Sequence, residues 1–147
     1  MTSRFQPPPI IKASERMAVE IENAVRRFPR YHRYQIGSDL RARSQQAFIN
    51  ANTAWRERAD QARWVGVLVR DIDALKQLLQ IGKRLGAFAS FRQFEMLIRL
   101  AEELGMQAGG WRRRLRENSH AQNVQAEGIA QRGKKLSTCT ALARANS

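Results

Sequence analysis

Apolar side chains recur along most of this chain in alternating steps of three and four residues. That spacing places them on one face of an α-helix, with polar positions on the opposite face. The pattern predicts four amphipathic helices, at about residues 10–28, 34–58, 59–85 and 91–115. Because short connections join helices that lie antiparallel to each other, we expect an all-α protein, an up-down antiparallel four-helix bundle.

The predicted core consists of the positions that share the inner face of each helix. In chain order they are Ile11, Ser14, Ala18, Ile21, Val25, Phe28, Leu40, Ala47, Ala51, Ala54 or Trp55, Val65, Leu68, Ile72, Leu75, Leu79, Phe94, Leu97, Ala101, Leu104, Ala108, Trp111 and Leu115. Ser90 followed by Gln93 has the form of a capping box, which predicts a helix start. Gly37 indicates either a permissive backbone angle or a close packing contact. The glycines at 105, 109 and 110 indicate close helix contact or local termination.

The third predicted helix carries a second apolar row beside its core row. This row comprises Trp64, Val67, Ala74, Leu78, Ile81 and Leu85. Two rows make a wider apolar face than one core requires, which favours burial against something outside the bundle. The simplest candidate is another copy of the chain. The predicted oligomer interface is Trp64, Val67, Leu78, Ile81 and Leu85. The alternative is a monomer in which this helix is central, although a four-helix bundle has no central helix.

The two ends of the chain lack the helical pattern and bound the predicted domain. Three prolines at residues 7–9 predict an extended arm over residues 1–9, because proline cannot continue a helix. Residues 10–116 then form the bundle domain. Residues 117–147 are polar and basic with few apolar side chains, so we expect a disordered tail that attracts phosphates or only solubilises the protein.

The chain carries a large positive charge. Twenty-six Lys and Arg against thirteen Asp and Glu give its 147 residues a formal net charge of +13. A polyanion such as a nucleic acid is the natural partner. No apolar run reaches the roughly 18 residues of a spanning helix, and no apolar signal segment begins the chain, so we expect a cytoplasmic protein without membrane contact. With Cys139 as the one cysteine, neither a disulfide nor a thiolate metal site is expected within one chain.

The connector between the first two predicted helices, residues 26–37, combines basic and aromatic side chains. Pro29 disfavours helix at Phe28, so the first helix is expected to end there. Four arginines within eight residues, interleaved with three aromatic residues, suit phosphate pairing and base stacking. An equally weighted alternative is that Phe28 and Ile36 seal the end of the bundle while the arginines are only solvated.

Other arginines extend the predicted cationic surface along the second helix and past the fourth. The residues expected to bind nucleic acid or a partner protein are Arg26, Arg27, Arg30, Tyr31, Arg33, Tyr34, Arg41, Arg43, Arg56, Arg58, Arg112, Arg113, Arg114 and Arg116. Binding through such residues is expected to be electrostatic and tolerant of sequence.

Candidate catalytic residues are few. The two histidines stand in different regions, without a partner at metal-ligand or proton-relay spacing. Asp71 and Asp73 face different directions on a helix, and Glu102 and Glu103 are adjacent, so we interpret them as surface charges or salt-bridge partners. We therefore expect a protein that is not an enzyme and that uses neither a cofactor nor a metal. An enzyme with these carboxylates as metal ligands is the least favoured alternative.

Two motifs stand at the beginning and the end of the predicted bundle. The first is Phe28-Pro29-Arg30 with Arg33-Tyr34-Gln35-Ile36-Gly37, and the second is Glu103-Leu104-Gly105-Met106-Gln107-Ala108-Gly109-Gly110-Trp111. Together with the long third helix, they resemble the Avd accessory proteins of diversity-generating retroelements. The similarity covers about residues 10–115.

The resemblance implies four-helix protomers that assemble into a homopentameric, barrel-like ring with a positively charged surface. It also implies a non-catalytic accessory protein that binds the element's reverse transcriptase and nucleic acid, template RNA or cDNA, in mutagenic retrohoming. The reverse transcriptase partner rests on this resemblance alone. The alternative is a four-helix RNA-binding protein associated with ribosomal RNA, because proteins encoded in intervening sequences of bacterial large-subunit ribosomal RNA genes belong to the same wider group.

Overall fold

The structure is a computed structural model that describes residues 6–145, with side chains described as far as residue 134. The helices are α1 (Pro9–Val25), α2 (Arg30–Tyr34), α3 (Ile36–Arg56), α4 (Gln61–Arg84) and α5 (Phe91–Ala145). Residues 6–145 contain helices and no strand, so the prediction of an all-α protein is confirmed, and the arrangement is compatible with a helical bundle. Helices α1, α3 and α4 and the first part of α5 correspond to the four predicted helices.

The short helix α2 lies inside the connector, where the sequence predicted only a turn. Helix α1 ends at Val25, and Pro29 is the residue immediately before α2. Because the first amides of a helix have no hydrogen-bond partner within the helix, the amide hydrogen that Pro29 lacks costs little stability at this position. Gln35 alone separates α2 from α3.

Helices α1 and α3 lie side by side and run in opposite directions. Val25, at the end of α1, lies against Gly37, at the start of α3, and Glu22 pairs with Arg41 further from the connector. A Cβ atom at Gly37 would be 2.7 Å from Val25 Cγ1 and 3.1 Å from the carbonyl oxygen of His32. Gly37 therefore allows close packing of α1 on α3. Its φ is not positive, so a permissive backbone angle does not account for a glycine at this position.

Helices α3 and α4 also run antiparallel, and a buried polar cluster joins them. Gln61, at the start of α4, donates a hydrogen bond to the carbonyl oxygen of Ala54, near the end of α3. Further along, the buried carboxylate of Asp71 accepts hydrogen bonds from Arg43 and Asn50 of α3. A buried carboxylate is costly without such partners, so these bonds favour one register of the two helices.

The turn after α4 is a Schellman motif. Gly86 has a φ of 70°, a left-handed conformation that glycine adopts without steric cost. The amide of Gly86 donates a hydrogen bond to the carbonyl oxygen of Lys83. The amide of Ala87 donates one to the carbonyl oxygen of Gly82. These two bonds satisfy carbonyl groups that the end of the helix would leave unpaired.

The predicted capping box at the start of α5 is confirmed. The amide of Gln93 donates to Ser90 Oγ at 3.2 Å, as expected for a serine at the N-cap. The return bond is shifted by one residue, because Gln93 Oε1 accepts from the amide of Ala89 at 3.4 Å. The chain therefore reverses between two long helices in a short turn that is capped by hydrogen bonds at both ends.

The glycines of α5 differ in their surroundings. A Cβ atom at Gly105 would be 2.6 Å from Lys76 Nζ and 3.7 Å from Ile72, both on α4, so this glycine allows a close helix contact. Apart from the local backbone of α5, no atom lies within 4 Å of the Cβ position at Gly109 or Gly110, and α5 passes through both without interruption. The expectation that these two glycines make a close contact or end the helix is wrong.

The predicted core positions are largely buried in one contiguous cluster. Ala54 is buried and Trp55 half-buried, so the small residue is the inward one. Trp111 is half-buried and packs against this cluster. Met17 and Ala24 of α1 are also buried, although the predicted row did not contain them. The row with steps of three and four therefore marks the centre of a wider buried face.

The chain divides into two compact units, Met1–Arg112 and Arg113–Ser147. In the second unit α5 continues to Ala145, and the described side chains are exposed except for Leu115 and Gly128, which are half-buried. The disorder that was predicted for residues 117–147 is not shown by the structure. Of the predicted arm, residues 6–8 precede the first helix, and residues 1–5 lie outside the described part of the chain.

Candidate nucleic-acid interface

Aromatic rings close the end of the bundle where the connector lies. Phe28 is buried, and its ring meets that of Phe88 edge to face with centroids 5.0 Å apart. Phe88 in turn contacts Phe94 of α5 at 5.6 Å. Ile36 is buried as well. One half of the alternative interpretation, that Phe28 and Ile36 seal the bundle end, is therefore confirmed.

The polar side of the connector is exposed. Arg26, Arg27 and Arg30 are all exposed, and so are Tyr31 at 75% and Tyr34 at 62%. Arg26 approaches Glu22 at 3.5 Å, one helical turn away, while most of its side chain stays accessible. Exposed guanidinium groups beside exposed phenol rings offer both phosphate pairing and a surface on which bases stack.

Arg33 differs from the other connector arginines because it points back into the fold. Its Nη2 atom donates to the carbonyl oxygens of Arg26 at 3.1 Å and Phe28 at 3.3 Å. These carbonyls follow the last turn of α1, where a cation is favourable because helix carbonyls point towards it. Arg33 thus holds the end of α1 and contributes less to the outer surface than the sequence suggested.

Arg41 and Arg43, predicted for the cationic surface, form ion pairs within the bundle. Arg41 donates to both carboxylate oxygens of Glu22, at 2.6 and 3.2 Å. Hydrogen bonds from Arg41 hold the pKa of the Glu22 carboxyl below its ordinary value of 4.5, although partial burial opposes this shift. Arg43 donates to Asp71. Both arginines are therefore committed to helix contacts.

Two of the remaining predicted arginines lie away from the connector. Arg56 and Arg58 stand at the far end of α3, which at 1.5 Å per residue is about 30 Å from its start. Arg112 is half-buried in the first unit, whereas Arg113, Arg114 and Arg116 are exposed residues of the second unit. Within the first unit, the predicted binding residues thus do not form one surface.

Three cationic residues that sequence reasoning missed share the bundle end with the connector. They are Lys83, Arg84 and Arg92, which flank the turn between α4 and α5 and are exposed. The contact between Phe28 and Phe88 brings this turn to the connector. The signal was available, because the first and third connections of an antiparallel four-helix bundle lie at the same end.

The two segments that meet at this bundle end, residues 23–38 and 82–94, contain seven Lys or Arg and no Asp or Glu. We call these two segments the cationic end. At the other end, the connection between α3 and α4 contains Glu57 and Asp60 beside its arginine. The two segments of the cationic end therefore carry a concentrated positive charge, and the carboxylates nearest to it in sequence flank the segments, as Glu22 does beside Arg26.

The predicted oligomer interface lies along α4 and is only partly covered. Trp64, Val67 and Leu78 are half-buried, while Ile81 and Leu85 are 48% and 51% exposed. Trp64 Nε1 donates to Glu57 within the same chain at 3.0 Å. The outermost residues of this row thus have apolar surface that the first unit does not bury.

The described residues contain no group of three metal-ligating side chains. Asp73, Glu102 and Glu103 are exposed, and Asp71 is occupied by Arg43 and Asn50. Within the same part of the chain, no helix has the length and hydropathy needed to cross a membrane.

Comparison with known proteins adds no relative. No family model matches the chain, and no curated protein is significantly similar to it in sequence. The functional argument therefore rests on the residues and on their arrangement.

Proposed function

We propose that this protein is a non-catalytic nucleic-acid-binding protein and that the connector is its main contact surface. The observation that carries the proposal is the cationic end, where exposed arginines and two exposed tyrosines occur without a carboxylate in either segment. A strand of phosphates can be neutralised there by Arg26, Arg27 and Arg30. Shape and charge, rather than base edges, set the affinity, so binding is tolerant of sequence.

We further propose an accessory role beside a reverse transcriptase, in a closed homo-oligomer. The resemblance of the connector and of residues 103–111 to the Avd proteins supports this role and suggests a pentamer. The apolar row that ends at Ile81 and Leu85 supports self-association, because contiguous exposed apolar surface commonly marks a protein–protein interface.

The test replaces Arg26, Arg27 and Arg30 together by glutamine and leaves Arg33, which holds α1. The matched control replaces Arg56, Arg58 and Arg63, three exposed arginines distant from the connector, so both variants lose the same charge. Binding of a single-stranded RNA is measured by fluorescence anisotropy over a range of salt concentrations. Each lost phosphate contact changes the slope of log affinity against log salt by about 0.7, so the connector variant is expected to flatten it by about 2.

The control variant is expected to keep most of the parental slope. If both variants lose the same RNA affinity and the same salt slope, net charge alone determines binding, and the connector is not the contact surface.

The proposed partner is tested separately. The protein is expected to co-purify with the reverse transcriptase of a retroelement. Binding to ribosomal RNA fragments without any association with that enzyme would favour the ribosomal alternative.

A further inference from the structure

The exposed aromatic side chains are confined to one place in the described structure. Among residues 6–134 they are Tyr31, Tyr34 and Phe91, and Phe91 is 64% exposed. All three belong to the cationic end. The other Phe and Trp residues of this part of the chain are buried or half-buried. Three exposed rings among seven cations are not explained by packing of the bundle.

A continuous chain of ring contacts links the two segments. From Phe28 of the connector it passes through Phe88 and Phe94 to Phe91, whose centroid is 5.9 Å from that of Phe94. Lys83 Nζ lies 5.5 Å from the Phe91 ring and 5.1 Å from the Phe94 ring. This chain of rings thus connects the exposed Phe91, with a cation beside it, to Phe28 of the connector that carries Tyr31 and Tyr34.

We infer that the turn between α4 and α5 and the connector form one composite surface that selects single-stranded nucleic acid. This inference rests on the proposed function and extends it to Lys83, Arg84, Phe91 and Arg92. In a single strand the face of each base is accessible and can stack on a protein ring, whatever the base. In a duplex the bases are stacked on each other, so only the phosphates remain for the cations.

The experiment compares binding of oligouridylate with binding of an RNA duplex of equal length, by fluorescence anisotropy at one salt concentration. The variant replaces Tyr31, Tyr34 and Phe91 together by alanine. Because stacking contributes substantially per base, its affinity for the single strand is expected to fall about fivefold or more, while its affinity for the duplex stays near the parental value. Circular dichroism checks that the helix content is retained.

Two further variants localise the effect. Phe91→Ala alone is expected to weaken single-strand binding, whereas Ile49→Ala, which removes an exposed apolar side chain from α3, is not. Restoring rings by Tyr31→Phe and Tyr34→Phe is expected to recover single-strand binding, because stacking needs the ring and not the hydroxyl group. Loss of binding in these phenylalanine variants would overturn stacking as the cause.

The failures of this inference and of the proposed function are distinguishable. If the alanine variant keeps the single-strand affinity while the connector arginine variant loses it, the cationic end binds nucleic acid without stacking and the inference is wrong. If Phe91→Ala has no effect but the tyrosines do, the composite surface is wrong. If the parental protein binds neither RNA, or binds polyglutamate equally well, the proposed function falls too.

Discussion

Arg30 and Arg33 stand three positions apart in the connector, yet their surroundings differ. Arg30 is exposed, whereas Arg33 is half-buried and donates to two carbonyl oxygens after α1. The difference arises because α2 is a single short helix whose sides face different environments. A side chain on its outer side meets solvent, and one on its inner side meets the end of α1. Of two identical residues in one run, Arg33 thus bonds within the fold and Arg30 stays accessible to solvent.

We expect Arg33→Gln to destabilise the protein by about 1–2 kcal/mol, because two carbonyl groups lose a charged donor. Arg30→Gln is the matched variant and is expected to change stability by less than about 0.5 kcal/mol, as for other surface substitutions. Urea unfolding followed by circular dichroism measures both. Equal stability of the two variants would show that the Arg33 hydrogen bonds contribute nothing.

The pair of Glu22 with Arg41 predicts a pH dependence. Hydrogen bonds from Arg41 lower the pKa of Glu22 in the folded state, so folding favours the ionised carboxylate. The resulting stabilisation is complete above the unfolded pKa and is lost as the pH falls through the lowered folded pKa. Since the pair is partly exposed, we expect Glu22→Gln to cost about 0.5–1 kcal/mol near neutral pH and progressively less as the pH falls below the ordinary glutamate pKa of 4.5 and through the lowered folded pKa.

Chemical unfolding of parent and Glu22→Gln at several pH values measures this difference. A gap in unfolding free energy that stays constant down to pH 3 would show that packing, and not ionisation, connects these helices. Arg41→Gln provides the reciprocal measurement and is expected to give the same pH dependence.

At the scale of elements, glycines decide how closely the helices approach. The start of α3 lies against the end of α1 only because Gly37 has no Cβ atom. By contrast, Gly109 lies within α5 with open space around its Cβ position. The same residue type is therefore required in one helix and is only a cost in backbone entropy in the other.

We expect the two alanine substitutions to change the free energy of unfolding in opposite directions. Gly37→Ala forces Val25 or the backbone of His32 to move and is expected to destabilise by about 1–3 kcal/mol. Gly109→Ala reduces the entropy of the unfolded chain and is expected to stabilise by up to about 1 kcal/mol. Thermal melting of both variants measures the two effects. A stabilised Gly37→Ala would contradict the close packing of α1 on α3.

At the scale of the whole molecule, the connections between helices determine the charge distribution. The cationic end collects residues that are separated by about fifty positions in sequence, because the first and third connections meet there. The apolar row that ends at Ile81 and Leu85 approaches the same end along α4. If copies of the chain associate through this row, each assembly presents several cationic ends, which strengthens binding to a long polyanion by multivalency.

Light scattering after size exclusion is expected to give the mass of a closed homo-oligomer, a pentamer by the resemblance. Ile81→Glu with Leu85→Glu is expected to reduce that mass and to leave helix content unchanged, because both side chains are about half exposed in one protomer. The exposed pair Val124 and Ile129 of the second unit provides a control, whose substitution by glutamate keeps the mass. A monomeric parent at micromolar concentration would refute self-association.

Much of the first unit was predictable from the sequence. The spacing of apolar residues located α1, α3, α4 and the first part of α5, and the Ser90 and Gln93 pair marked the start of α5. The site was less predictable. Arg26, Arg27 and Arg30 are exposed as expected, but Arg33, Arg41 and Arg43 bind groups within the fold, and Lys83, Arg84 and Arg92 were missed.

The sequence by itself determined the helical class, the main core positions and the excess of positive charge. These properties follow from local periodicity and from composition, which do not depend on how the helices are arranged. The tertiary structure alone decided which arginines form ion pairs between helices and which ring contacts join the two segments of the cationic end. Those outcomes depend on the neighbours that each helix face meets, and contacts between residues distant in sequence, such as that of Phe28 with Phe88, are not encoded in any local pattern.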